Sequence, residues 1–149
     1  MSGLDSLYQE LILDHSKRRA GYGLADETGG TRATSHQRNP VCGDEITLRV
    51  RVQDDLVLDV TWEGAGCAIS QASASMLAAL VEEDGGMPRV EASALIDGFR
   101  TAMRSRGTVA LSEETFSDAS ALSGVSRYTA RVKCAMLAWV AFEDALSRA

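Results

Sequence analysis

The sequence lacks an excess of basic side chains. Its 149 residues include 15 Lys and Arg against 21 Asp and Glu, which gives a formal net charge of −6. Because an anionic surface repels phosphate groups, we expect no nucleic-acid partner and no basic attachment to a membrane surface. The same charge favours a cationic surface on a protein partner.

The sequence also lacks an apolar segment suited to a signal peptide or a membrane span. Its first twenty residues carry six charged side chains, namely Asp5, Glu10, Asp14, Lys17, Arg18 and Arg19. The longest uncharged run, 64–81, contains several polar side chains and two glycines near its start. We interpret this run as a turn followed by a buried helix. We therefore expect a cytoplasmic protein with no membrane partner.

Histidine is scarce, and this excludes a common catalytic arrangement. The chain has 2 histidines and no Gly-x-Ser-x-Gly elbow, so a serine triad is excluded. The pair Gly64-x-Gly66 lacks the remaining glycine and the acidic residue of a dinucleotide-binding fingerprint. The 3 cysteines cannot all pair with one another, and a reducing compartment keeps them as thiols. The chemistry is therefore expected to involve a metal ion or a reactive thiol.

Proline is limited to 2 residues, and a composition with 45% hydrophobic and 24% charged residues is typical of a folded globular protein. A chain of this length buries enough surface for one core, so we expect a single domain over 1–149.

Alternating side chains over Glu45–Val52 and Leu56–Glu63 predict an antiparallel hairpin. Strands followed by helices indicate an α+β fold with helices on one face of a small sheet.

Helical spacing predicts one helix over Leu4–Arg19, a second that begins close to Cys67, a third that includes Leu95–Met103, and a last one over Tyr128–Leu146. Two regions have weaker patterns. Thr31–Arg38 is so polar that it is expected to form an edge strand at most. The pattern of the segment after the third helix, Thr108–Gly124, predicts only one short helix, around Asp118–Leu122.

Each cysteine lies beside a feature that suits a functional site. Cys42 lies in a turn bracketed by proline and glycine, with Asp44 two residues later, so both side chains can point into the same space. Cys67 follows a glycine-rich turn at the predicted N-terminus of a helix, where the dipole and the free amides favour a thiolate. Cys134 lies three residues after Arg131 and hence on the same helical face.

Three thiolates and one carboxylate make four anionic ligands, the number that tetrahedral Zn²⁺ takes. Sulfur-rich sets favour zinc or iron–sulfur species over magnesium or calcium. The gaps of 24 and 66 residues between successive cysteines match no zinc-finger spacing, and the alternative is that each cysteine is a small buried hydrophobic residue. The glycine-rich turns around Cys42 and Cys67 favour a site, because sites are built at the ends of elements.

Four motifs together resemble one family. They are Leu4–Tyr8 with Asp14-His15, Asn39-Pro-x-Cys-Gly-Asp44, Gly64-x-Gly-Cys-Ala-Ile-Ser-x-Ala-Ser-Ala-Ser-Met76, and Gly124-Val-Ser with Arg131-x-Lys-Cys-Ala135. The combination resembles the SufU family, the zinc-containing branch of the IscU/NifU-type iron–sulfur cluster assembly proteins, over nearly the whole chain. The resemblance implies a small three-stranded antiparallel sheet packed against about five helices.

The resemblance also implies a site and a role. Cys42, Asp44, Cys67 and Cys134 would bind one zinc ion. Cys42 would take persulfide sulfur from a PLP-dependent, SufS-type cysteine desulfurase, after a histidine of the desulfurase displaces it from zinc. The sulfur would pass to a downstream iron–sulfur scaffold complex, and the chain would be a monomer. IscU-type scaffolds carry a histidine just before the last cysteine, where this sequence has Lys133, and a protonated ammonium is no metal ligand.

Three functions stay open at this point. The first is a zinc-dependent sulfurtransferase in which Arg131 stabilises the Cys42 thiolate, because a guanidinium holds an anion without supplying an acid. The second is a non-catalytic scaffold for an Fe–S cluster, and the third is a structural zinc domain that binds a partner without chemistry. His15 is interpreted as a packed or partner-contacting residue rather than a metal ligand, and Trp62 and Trp139 as core anchors.

Overall fold

The computed structural model describes residues 3–24, 29–40 and 43–149. Within these ranges the helices are α1 (Gly3–Arg18), α2 (Ala68–Glu82), α3 (Arg89–Met103), α4 (Glu113–Phe116) and α5 (Thr129–Arg148), with a 3-10 helix at Ser117–Arg127. The strands are β1 (Thr31–Arg38), β2 (Glu45–Gln53), β3 (Leu56–Ala65) and β4 (Met87–Pro88). The predicted α+β class is confirmed. None of the helices in the described ranges has the length and apolar content needed to cross a membrane.

The strands form one antiparallel sheet in the order β1-β2-β3-β4. β2 and β3 form the predicted hairpin, and its turn consists of Asp54 and Asp55, with φ angles of 53° and 62°. Two consecutive residues with positive φ are typical of a type I′ turn, whose twist matches that of the strands it joins. β1 lies at the edge of the sheet, as predicted, and pairs with β2.

The prediction of a three-stranded sheet is wrong, because a fourth strand is present. β4 consists of Met87 and Pro88, which pair with Val57 and Leu56 on the free side of β3. A strand of two residues is too short to show alternation. Proline lacks an N–H donor and is confined to sheet edges, so the sequence here indicated only a break in the chain.

Helices α2 and α5 contact the sheet and enclose the core with it. β2 and β3 contribute one alternating set of side chains to this core, including Leu48, Val50 and Trp62, each 0% exposed. Trp139 of α5, also 0% exposed, stacks on Phe99 of α3 with ring centroids 4.2 Å apart. The prediction that Trp62 and Trp139 are core anchors is confirmed.

The weakly patterned segment after α3 folds largely as a 3-10 helix. Ser123 Oγ donates a hydrogen bond to the Ser120 carbonyl, and Ser126 Oγ donates to the Ser123 carbonyl. Serines spaced three residues apart suit the 3-10 helix, because their hydroxyl groups bond the backbone and compete with α-helical hydrogen bonds. The expected short helix around Asp118–Leu122 is therefore the middle of a longer segment.

His15 of α1 is 0% exposed and links three elements. Its Nδ1 lies 2.8 Å from Ser75 Oγ of α2, and its Nε2 lies 2.8 Å from Asp118 Oδ2 of the 3-10 helix. Ser75 Oγ also accepts a hydrogen bond from the Ala20 N–H. His15 is thus a packed residue, in agreement with the prediction, and it joins α1 to the rest of the fold.

Replacing His15 with alanine is expected to lower the free energy of unfolding by about 2–4 kcal/mol, because the change leaves a cavity and removes a partner of the buried Ser75 hydroxyl. Urea unfolding followed by circular dichroism measures this loss. His36→Ala is the matched control, since the His36 side chain is 54% exposed, and it should change stability by less than about 0.5 kcal/mol. Equal losses in the two variants would contradict the linking role.

Candidate metal centre

The antiparallel register of β2 and β3 places two of the predicted ligands side by side. Glu45, the first residue of β2, pairs with Ala65, the last residue of β3. Asp44 directly precedes Glu45, and Gly66-Cys67 directly follows Ala65, so these residues meet at one end of the hairpin. Cys67 is also the N-cap residue of α2.

Cys134, in the second turn of α5, completes a cluster with Asp44 and Cys67. One ligand atom from each of these residues lies within 4.8 Å of the other two. Asp44 is 3% exposed and Cys134 is 0% exposed, whereas Cys67 is partly exposed. Solvent therefore reaches the Asp44–Cys67–Cys134 cluster from the side of Cys67.

Hydrogen bonds hold the Asp44 carboxylate against the start of α2. The Cys67 N–H donates to Asp44 Oδ1 at 3.1 Å, and the Cys67 thiol lies 3.7 Å from Oδ2. On the other side, the Asn39 N–H donates to the Asp44 carbonyl oxygen at 2.8 Å. The positive end of the helix dipole favours a negative charge at this position, so the carboxylate is both oriented and stabilised there.

Two glycines permit this close approach. A Cβ atom on Gly66 would lie 2.6 Å from Asp44 Oδ1 and 2.5 Å from Ser70 Oγ. A Cβ atom on Gly64 would overlap the carbonyl oxygen of Glu45 in the neighbouring strand. Neither of the two glycine positions leaves room for a side chain, and this explains the Gly-x-Gly pattern at the end of β3.

Helix α5 is bound to α2 beside Cys134. Ser73 Oγ donates a hydrogen bond to the Ala135 carbonyl at 2.6 Å and accepts one from Trp139 Nε1–H at 3.1 Å. Ser70 Oγ donates to the carbonyl of Cys67 at 3.0 Å. The sequence predicted only close helix packing for these serines, because periodicity shows which face of a helix is buried but not which polar groups meet there.

Burial raises the pKa of the Cys134 thiol far above its ordinary value, and hydrogen bonds with Asp44 and Cys67 act in the same direction. A thiolate at Cys134 would therefore be unfavourable in this place without a counter-ion. A divalent cation supplies this counter-ion and holds thiols as thiolates. Two sulfur atoms and a carboxylate oxygen are donors that suit zinc, so the residues present fit a zinc ion.

The other predicted site residues lie as follows. Cys42 lies outside the described residues, and the sequence places it two positions before Asp44. Arg131 is exposed on α5, three residues before Cys134, and Lys133 is exposed beside it. In the part of the chain that the structure describes, no histidine joins the cluster. The structure thus brings three of the predicted site residues together and leaves Arg131 at the surface.

Gly66→Ala is expected to lower the free energy of unfolding by about 1–3 kcal/mol, because the new methyl group collides with the Asp44 carboxylate. Urea unfolding of the metal-free chain measures the loss without any contribution from a bound ion. Gly124→Ala is the matched control, since a Cβ atom at Gly124 would meet no atom within 4 Å. A stability of Gly66→Ala equal to that of this control would contradict the packing argument.

The comparisons with known proteins agree with the fold. The chain matches the model of the NifU-like N terminal domain over residues 7–135. It is 37% identical over 148 residues to the Streptococcus pyogenes serotype M1 protein named iron-sulfur cluster assembly scaffold protein IscU, covering 99% of this chain and 87% of that one. It is 32% identical over 147 residues to the zinc-dependent sulfurtransferase SufU of Bacillus subtilis (strain 168), covering 99% of this chain and 94% of that one. The crystal structure of the Fervidobacterium islandicum AW-1 protein described as an iron-sulfur cluster assembly scaffold protein for the SUF system (FiSufU) superposes with a TM-score of 0.71 at 32% identity, covering 97% of this chain and 99% of that one. On this evidence the chain belongs to the NifU-like N-terminal domain family.

Proposed function

We propose that this chain is a zinc-dependent sulfur carrier for iron–sulfur cluster assembly, in which Cys42 accepts persulfide sulfur from a PLP-dependent, SufS-type cysteine desulfurase. The observation that carries the proposal is the convergence of Asp44, Cys67 and Cys134 within 4.8 Å. It is supported by the 32% identity to a protein named zinc-dependent sulfurtransferase.

In this proposal Asp44, Cys67 and Cys134 supply three zinc ligands, and Cys42 supplies the fourth. Cys42 is the remaining thiol of the chain and lies two residues from Asp44 in the sequence. Three sulfurs and one oxygen make the four-coordinate set that zinc prefers in proteins. When bound, zinc holds the thiols deprotonated and, because it is redox-inert, protects them from oxidation.

Sulfur transfer is assigned to Cys42 because the fold holds the other two thiols. Cys134 is 0% exposed within the core face of α5. Cys67 caps α2 and binds Asp44 through its own N–H. Moving either of these thiols toward a partner would break contacts of the fold, and the transfer of sulfur is therefore assigned to the third thiol of the chain.

In the transfer step the Cys42 thiolate attacks the terminal sulfur of the desulfurase persulfide. The sulfur–sulfur bond of the donor breaks, a new one forms on Cys42, and the donor cysteine leaves as a thiolate. Sulfur moves as a neutral atom between two thiolates, so the step needs no external oxidant or reductant. Arg131 stabilises the resulting persulfide anion by charge and donates no proton, because its guanidinium stays protonated.

A second candidate function is a scaffold on which iron–sulfur clusters are assembled. It is supported by the 37% identity to a protein named IscU scaffold, and the thiolates of the same cluster suit iron–sulfur species. Lys133 favours zinc, because a protonated ammonium directly before Cys134 provides no ligand in the place where IscU-type scaffolds have a histidine. Bound zinc supports the first function, and bound iron with sulfide supports the second.

We expect the purified chain to hold about one zinc ion, as a closed four-ligand site does, and to gain a persulfide when incubated with the desulfurase and L-cysteine. Cys42→Ala should abolish the gain, because the other thiols are held within the fold. Elemental analysis gives the metal, and mass spectrometry of alkylated peptides locates the persulfide. A persulfide on Cys67 or Cys134 would contradict the assignment. A Cys42→Ser chain that still stimulates the desulfurase would indicate a structural zinc domain instead.

Arg131→Ala is expected to slow persulfide formation on Cys42 by about tenfold, the loss that follows from removing one charged hydrogen-bond donor, while zinc content stays the same. Single-turnover transfer from the preloaded desulfurase measures the rate. Arg131→Lys keeps the positive charge and should recover part of the transfer rate. Arg32→Ala, which changes an exposed side chain on β1, serves as the control. An Arg131→Ala rate equal to that of the control would remove Arg131 from the mechanism.

A further inference from the structure

A groove of about 420 Å³ opens beside the metal centre. It lies between α1, the first turn of α2 and the 3-10 helix, and Ile69 in its wall is only two residues from Cys67. Ile12 and Val125 add apolar surface, and Tyr128 stands at its edge with 64% of its surface exposed. An aromatic ring left in water beside an apolar groove is typical of a protein-binding surface.

The side of this groove toward α5 is cationic. Arg127 lines the groove, and a Cβ atom on Gly107 would lie 2.6 Å from Arg127 Cγ, so the Arg127 stem crosses the backbone next to Arg106. Arg131 lies in the first turn of α5, four residues after Arg127. Within the described ranges, Arg106, Arg127 and Arg131 form no ion pair. Other arginines pair with carboxylates, namely Arg18, Arg51, Arg89, Arg100 and Arg148.

We propose that this groove, together with Arg106 and Arg127, docks the sulfur-donating protein through a surface on which carboxylates surround an exposed apolar side chain. The inference rests on the proposed function and names the chemistry of the partner. The apolar side chain enters between Tyr128 and Ile69, and the carboxylates pair with the arginines. The donor is thereby held beside Cys67, at the side from which solvent reaches the cluster.

The local charge favours an acidic partner surface, although the net charge of −6 taken alone favoured a cationic one. Charges farther apart than about 8 Å are largely screened at physiological ionic strength, so the groups that line the groove decide which surface it attracts. Arginines at the rim of an interface act mainly on the association rate and on its salt dependence. The buried apolar contact acts mainly on dissociation.

The test measures binding of the zinc-loaded chain to the SufS-type desulfurase of its own organism by fluorescence anisotropy at low and at physiological salt. Arg127→Glu is expected to raise Kd by about tenfold or more at low salt and to reduce the salt dependence. Tyr128→Ala is expected to raise Kd by about tenfold at both salt concentrations, because it removes an aromatic anchor. Arg32→Glu, an equal charge reversal at the end of β1 remote from Asp44, should match the unchanged chain.

The same variants separate this inference from the proposed function. The zinc content of the isolated chain, and persulfide formation on Cys42 at a desulfurase concentration well above Kd, report on the metal centre apart from docking, and both should be the same in Arg127→Glu as in the unchanged chain. If the unchanged chain holds no zinc or forms no persulfide, while its Kd for the desulfurase changes with Arg127→Glu and Tyr128→Ala as expected, the proposed function is wrong and the docking surface is supported. Binding that is absent in the unchanged chain, or equal in Arg127→Glu and Arg32→Glu, overturns the docking surface. A dimer of the unchanged chain that Arg127→Glu dissociates in sedimentation experiments overturns it as well, because the occupant is then a second copy.

Discussion

The contact between the Asp44 carboxylate and the Gly66-Cys67 backbone is the constraint on which the rest of the site depends. It exists because Glu45 pairs with Ala65 in the hairpin. A shift of the pairing by one residue would turn every side chain of β2 to the opposite face, so the register is fixed by the same alternation that buries Val50. The core and the metal centre therefore share one register, and a sequence that folds the sheet correctly also brings the carboxylate to the start of α2.

The third donor reaches the cluster through helix packing. Cys134 belongs to α5, whose position is set by the stack of Trp139 on Phe99 and by the hydrogen bonds of Ser73. Burial next to a carboxylate disfavours the thiolate form of Cys134, and the pKa of this thiol is raised accordingly. The aromatic core fixes the position of α5, and because the donors converge only in the folded chain, cation binding adds to its stability.

The parts of the fold that could be predicted from the sequence are those with a repeated local pattern. Alternation predicted the hairpin, helical spacing predicted the main helices, and the glycine-rich turns with the family motifs indicated the donors. The fourth strand could not be predicted, because two residues that include Pro88 show no period. The partners of His15 lie 60 and 103 residues away, and such pairs leave no trace in local spacing. The groove is likewise formed by segments distant in the sequence.

The arginines near the metal centre have a further consequence for its charge. A zinc ion with four anionic ligands carries a net charge of about −2, and this charge would repel an anionic persulfide and an acidic partner alike. Arg127, the last residue of the 3-10 helix, lines the groove, and Arg131 is exposed in the first turn of α5, so both side chains would offset part of this charge. The acidic residues that give the chain its net charge of −6 therefore do not determine what approaches the thiols. Because Arg131 is assigned to the sulfur anion and Arg127 to the partner surface, changing them one at a time distinguishes a slower reaction from a weaker complex.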